Sequence, residues 1–102
     1  MKSYRVIILP EARTQLRSIF LYIVEEADVD TAQRYVESIV DKCDSLAVFP
    51  LRGSLRPDLG RGYRSISHRR RCLIVYGVAG EDVSIAGVFY GGQDIRAAFA
   101  LG

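Results

Sequence analysis

The sequence contains no tryptophan, one methionine, one histidine and two cysteines in 102 residues. Cys43 falls in a helical pattern and Cys72 in a strand pattern, with no metal-type spacing around either, so both read as core residues. A lone histidine excludes a Cys/His metal cluster, and no serine has a plausible His/Asp pair. A glycine-rich phosphate loop followed by lysine is also missing, and Asp58 and Asp94 stand too far from other acids to suggest an acid/base couple. No metal or cofactor is therefore expected. No apolar run approaches the roughly 20 residues needed to cross a bilayer. The opening MKSYRVIILPEAR carries Pro, Glu and Arg where a signal peptide stays apolar, so a cytoplasmic protein without a membrane partner is expected.

Hydrophobic residues make up 49% of the chain and charged residues 25%, the profile of an ordinary globular domain rather than a disordered tail. A chain of this length forms one domain, 1–102, burying roughly two-thirds of its unfolded surface. The charge is unevenly placed. Residues 50–102 hold eight Arg against four acids, while residues 1–49 are net acidic. Between 52 and 71, Arg52, Arg56, Arg61, Arg64, Arg69, Arg70 and Arg71 face the single acid Asp58, and none of the cations is lysine. Guanidinium presents a planar fork of donors that fits carboxylates and phosphates two bonds at a time, so an all-arginine cluster points to an anionic partner; the competing reading is a solvated basic face.

Tyr4 to Leu9 is β-rich, and Pro10 ends it while suiting the first turn of a helix. Ala12, Leu16, Ile19, Phe20 and Ile23 then recur at helical steps, predicting a helix to about Glu26. Asp28 or Asp30 is placed to cap a second helix, whose stripe of Ala32, Tyr35, Val36, Ile39, Val40, Cys43, Leu46 and Ala47 runs toward Phe49 before Pro50. Residues 50–62 read as an ordered but irregular loop. Three strands follow, Tyr63–His68, Cys72–Val78 and Val83–Tyr90, with HRRR and AGED as tight turns and Gly80 available for positive φ. The last segment, GGQDIRAAFALG, predicts a short C-terminal helix. The order β-α-α-β-β-β describes a two-layer α+β fold, a helical hairpin packed on one face of an antiparallel or mixed sheet.

Four segments together carry a family resemblance: YRVIILPEARTQLRSIFLYI, AQRYVESIVDKCDSLAVFPLRG, RPDLGRGYRSI and CLIVYGVAGEDVSIAGVFYGGQDI. They contain A-x-x-x-L-x-x-I on the first helix, P-x-x-G after the second, G-Y-R opening the next strand, then I-x-Y-x-V and a final G-x-D. This set, covering nearly the whole chain, resembles the ParE branch of the ParE/RelE toxins of bacterial toxin-antitoxin pairs. The resemblance implies the same small fold, neutralisation by the C-terminal segment of an antitoxin, and poisoning of DNA gyrase by the free chain. RelE-like relatives instead cleave messenger RNA on the ribosome, and a third possibility is a non-toxic scaffold that binds its partner and co-represses their operon.

RNA cleavage needs a group to activate the 2′-hydroxyl, a group to protonate the leaving oxygen, and cations at the phosphate. RelE-like nucleases resemble one another in placing Lys and Arg on the sheet face and an acid or base near the C-terminus. Here Arg64 is followed on the same face by Ile66, Leu73 stands where RelE carries Arg, and the C-terminal segment offers Tyr90 and Arg96 without His or Lys. His68 beside three arginines favours its neutral form, and its position reads as a solvent-facing turn residue. No catalytic residue is assigned. The partner-binding candidates, for antitoxin or target, are Arg56, Arg64, Arg69, Arg70, Arg71, Tyr90 and Arg96, with Arg64 alternatively serving the loop by bonding carbonyls or Asp58. Such a cationic rim beside apolar strands suits an acidic amphipathic antitoxin segment in a hetero-oligomer, without sequence-specific nucleic-acid binding by the chain alone. An apolar groove left open without the antitoxin would favour homodimers of the free chain.

Overall fold

A computed structural model describes residues 2–91 and Phe99. Strand β1 (Arg5–Ile8) leads through Leu9 into helix α1 (Pro10–Glu26), where Pro10 occupies the first turn at no hydrogen-bonding cost. Ala12, Leu16, Ile19 and Ile23 form the buried stripe of α1. Helix α2 (Val29–Asp44) is capped by Asp28, whose carboxylate accepts from the Thr31 amide at 2.7 Å and is held below its usual range by that bond. The helix stops short of Phe49. The chain tightens into a 3-10 turn at Ser45–Ala47, and Phe49, barred from right-handed helical geometry by Pro50, turns left-handed at φ 54°.

Residues 50–62 are ordered, as expected, and in addition carry two short regular pieces. A second 3-10 turn, Pro50–Arg52, is followed by the two-residue strand β2 (Ser54–Leu55), which pairs antiparallel with β3 (Tyr63–His68). Strands β4 (Cys72–Ala79) and β5 (Asp82–Tyr90) complete the sheet in the order β1-β5-β4-β3-β2. All neighbours are antiparallel except β1 and β5, which run parallel from Arg5↔Asp82 to Ile8↔Ile85, so the sheet is mixed. The exposed Arg5–Asp82 ion pair sits on that register. A register shift accommodates Ala86 as an extra residue of β5, since Tyr76 pairs with Ile85 and Val75 with Gly87.

The two faces of the sheet differ. Cys72, Ile74, Tyr76, Val83, Ile85 and Val88 pack against the helical hairpin, where Ile39 and Leu46 are fully buried. On the other face Leu59, Val75 and Phe89 form a smaller cluster, joined by Phe99 with ring centroids 5.0 Å from Tyr63 and 6.0 Å from Phe89. Both cysteines are buried as expected; burial pushes Cys43 to about 12 and Cys72 to about 11, so both stay protonated at neutral pH. The expected C-terminal helix and Arg96 lie outside the described residues.

Tyr76 ties the loop to the core. Its buried hydroxyl donates to the Pro50 carbonyl at 2.6 Å and accepts from the Gly53 amide at 3.0 Å. Arg64 adds two bonds, from Nη1 to the carbonyls of Leu51 (3.0 Å) and Gly53 (2.8 Å). Together these satisfy backbone groups that the irregular segment would otherwise leave without partners.

Candidate partner-binding surface

The arginines singled out in the sequence separate into two groups. Arg56 and Arg64 belong to the loop: Arg56 grips Asp58 with Nε at 3.0 Å and Nη2 at 2.9 Å, and Arg64 is spent on the loop carbonyls. Of the two roles open to Arg64, bonding carbonyls is the one it performs here. Arg69, Arg70 and Arg71 make the β3–β4 turn at the other end of β3, bridging the pair His68↔Cys72. Tyr90 joins them, because Cys72 pairs with Tyr90 and the next amide, Gly91, donates to the Arg71 carbonyl at 2.8 Å.

This turn is conformationally costly. Arg69 (φ 50°) and Arg70 (φ 66°) both occupy the left-handed region, and the Arg71 amide donates to the Arg69 carbonyl at 2.7 Å. Left-handed geometry matches the twist of a hairpin but costs a side-chain-bearing residue roughly 1–2 kcal/mol. Three adjacent exposed cations add mutual repulsion. None of the three guanidinium groups has a hydrogen bond or ion pair within the described residues.

Behind the turn lies a chain of aromatic rings. Tyr22 of α1 is 5.9 Å from Tyr90, Tyr90 is 5.5 Å edge-on from Tyr35 of α2, and Tyr35 is 6.2 Å from His68. His68 is therefore not a solvent-facing turn residue. It ends β3 on the helix side, half-buried, with Nε2 at 2.9 Å from the Ser38 hydroxyl, which itself donates to the Tyr35 carbonyl at 2.6 Å. The alternation Arg64, Ile66, His68 carried that signal, since it puts His68 on the same face as the core residue Ile66. Burial, then Arg69 and Lys42, lower the His68 pKa; burial above all raises Tyr35 to about 12.

A histidine favoured as neutral in the folded state binds a proton more readily when unfolded. Its contribution is complete above the unfolded value near 6.5 and is lost as pH falls toward the lower folded value. Denaturant titrations should accordingly show stability declining from pH 7 to 5, and His68→Gln should flatten that slope; an unchanged slope would place the titration elsewhere.

On the α1 side a groove of about 410 Å³ opens between Gln15, Ser18, Ile19 and Tyr22 and the strand end formed by Arg71, Tyr90 and Gly91. Gln15 Oε1 accepts from the Val88 amide at 2.7 Å, beyond the last β1–β5 pair at Ile8↔Ile85. Gln15, Ser18, Ile19 and Tyr22 share one helix face by their i, i+3, i+4, i+7 spacing. Of these four, only Ile19 belongs to the apolar stripe expected from the sequence, and Tyr22 falls at its edge. Among the described residues no group of three or more His, Cys, Asp or Glu could hold a metal ion, and no helix is long and apolar enough to cross a membrane.

The family model described as the ParE toxin of the type II toxin-antitoxin system, parDE, matches residues 6–95. The chain belongs to the ParE toxin family. No curated protein sequence matches it closely enough to serve as a relative. This ParE-family fold is similar to a chain of the chromosomal ParDE toxin-antitoxin system from P. aeruginosa, with TM-score 0.78 and 20% identity over 89% of this chain and 99% of that one. It is also similar to a chain of the toxin-antitoxin complex RelBE2 from Mycobacterium tuberculosis, with TM-score 0.67 and 22% identity over 91% of this chain and 97% of that one. At these identities the likeness concerns the fold, and the ParE assignment rests on the family match. The match runs from within β1 through the end of β5, and so includes the arginine turn and both walls of the groove.

Proposed function

We propose that this ParE-family toxin acts in the cytoplasm by binding rather than by bond-breaking: a partner antitoxin holds it inactive, and the free chain blocks DNA gyrase. The observation that carries this reading is the family match over residues 6–95. Side-chain chemistry supports it. His68 is engaged by Ser38 on the helix side, Tyr35 is held protonated up to about 12, and Arg56 and Arg64 are committed to the loop. Three adjacent exposed cations, Arg69 to Arg71, are suited to carboxylates of an acidic partner and to accelerating its approach.

Expression of the chain alone in a bacterium tests the reading. DNA-damage signalling and arrested division, relieved by co-expression of the protein encoded beside it, are the expected results. Cleaved transcripts without damage signalling would replace this reading with the ribosome-dependent nuclease, and unhindered growth with tight partner binding would leave a scaffold.

A further inference from the structure

We infer that the sheet edge at β2 is the seat of a second copy of this chain: two molecules meet across a two-fold axis at Leu55, where the amide of each donates to the Leu55 carbonyl of the other. The exposed side chains of Leu55, Leu51 and Phe49 are buried between the copies.

Backbone geometry selects this occupant. The Arg56 amide donates to the Tyr63 carbonyl at 2.9 Å, and the register runs Ser54↔Ser65, Leu55↔Arg64. Bonded and unbonded pairs alternate along an antiparallel ladder, so Leu55 is the residue of β2 whose amide and carbonyl turn away from β3. An edge residue that presents one donor and one acceptor side by side is complementary to itself, because a two-fold axis beside it forms two bonds at once. At the other edge of the sheet, outward groups of β1 are already taken: the Tyr4 amide donates to the Ala47 carbonyl at 2.8 Å, and Arg13 Nε donates to the Ile8 carbonyl at 3.0 Å. Pro57, which has no amide to give, follows two residues after Leu55 and keeps the pairing short. A contact of this isologous kind closes at two copies.

Side chains and charge agree with the backbone. Phe49, Leu51 and Leu55 keep 68%, 59% and 62% of their surface exposed. Arg64, opposite Leu55, holds the Leu51 carbonyl, and the Tyr76 hydroxyl holds the Pro50 carbonyl next to Phe49, so the three apolar groups stand on a fastened loop. Preorganised groups lose little freedom on binding. Phe49 is moreover a bulky aromatic at φ 54°, a conformation that costs stability and persists where the surroundings enforce it. Ionised neighbours are matched here: Lys2, which shares a cleft with Phe49 and Leu51, is set against Glu81, and Arg56 against Asp58. Two copies therefore meet without the repulsion that three adjacent arginines impose at the β3–β4 turn. Three such side chains per copy bury on the order of a few hundred Å², the low end for specific association, so the dimer is a weak one.

Sedimentation equilibrium of the full chain over a concentration series tests the assignment, with Leu55→Asp and Leu55→Cys as variants. The parent should pass from monomer to dimer, with a thermal midpoint that climbs with concentration. Leu55→Asp, which sets two carboxylates face to face, should weaken the dimer about a hundredfold. Leu55 is exposed, so the diluted variant should unfold at the temperature of the diluted parent. Under mild oxidation Leu55→Cys should cross-link copy to copy, because a bonded antiparallel pair sets its Cα atoms about 5.5 Å apart, within disulfide reach. Val29→Cys, comparably exposed at 54% on α2, should not, and the native Cys43 and Cys72 are buried. Equal cross-linking of the two cysteine variants would overturn the assignment, as would a dimer that Leu55→Asp leaves intact or that Tyr22→Ala dissolves instead. A parent that stays monomeric throughout would also overturn it; if Leu55→Asp then abolishes growth arrest, the surface belongs to the toxin's target.

Discussion

Gly53→Ala should destabilise the protein by about 3 kcal/mol, read as a lower denaturation midpoint at unchanged slope. The backbone at Gly53 (φ −76°, ψ 162°) is open to any residue, so the expected loss comes from space alone. A methyl group built there meets the Tyr76 hydroxyl and lies 2.8 Å from the Ser65 carbonyl. Neither neighbour can give way: Ser65 is held in β3 by its pairing with Ser54 and Val75, and Tyr76 is fully buried. Displacing the phenol would also break its bonds to the Gly53 amide and the Pro50 carbonyl, leaving buried polar groups unpaired at about 1–3 kcal/mol. Tyr76→Phe removes the hydroxyl that the new methyl meets, so the double variant should lose less than the two single losses combined. Full additivity would mean that the loop reaches stability by another route.

Replacing the arginine turn should weaken antitoxin binding about a hundredfold and flatten its dependence on salt. The informative variant combines Arg69→Asn, Arg70→Gly and Arg71→Ser. Asparagine and glycine accept positive φ at the first two positions, so the hairpin is retained or even relieved while the charge is removed. Stability equal to or above the parent, together with weakened binding, assigns the turn to the interface. Unchanged affinity assigns the arginines to solubility.

Much of the architecture was legible because it follows from hydrophobic period. The α1 stripe, the Asp28 cap and the β3–β5 strands follow from residues whose local preference and tertiary role agree. Features that the sequence leaves open depend on longer range. Strand β2 has two exposed residues and no pattern of its own, existing only because Ser65 and Arg64 lie opposite. The parallel placement of β1 beside β5 depends on where the helical hairpin returns the chain, which a four-residue strand does not encode. α2 ends at Asp44 because the tightening ahead of Pro50 begins a turn earlier than the proline rule alone indicates.

The candidate surface was legible in composition and not in geometry. Seven arginines in twenty residues set the expectation of an anionic partner, yet the same letter performs two jobs. Arg56 has Asp58 two residues away and Arg64 has loop carbonyls across β2, whereas the guanidinium groups of Arg69 to Arg71 have no hydrogen bond or ion pair among the described residues. Tyr22 and Gln15 carry no sequence signal of function. Their contacts appear only when α1 is laid against the C-terminal end of β5, where Gln15 accepts from the Val88 amide and Tyr22 meets Tyr90.

The most direct test of binding without bond-breaking is to give the purified chain two substrates in parallel: gyrase with relaxed plasmid, and ribosomes translating a defined transcript. Loss of supercoiling with the transcript intact is the predicted result. Transcripts cut at a fixed codon position while gyrase works unimpaired would contradict the account.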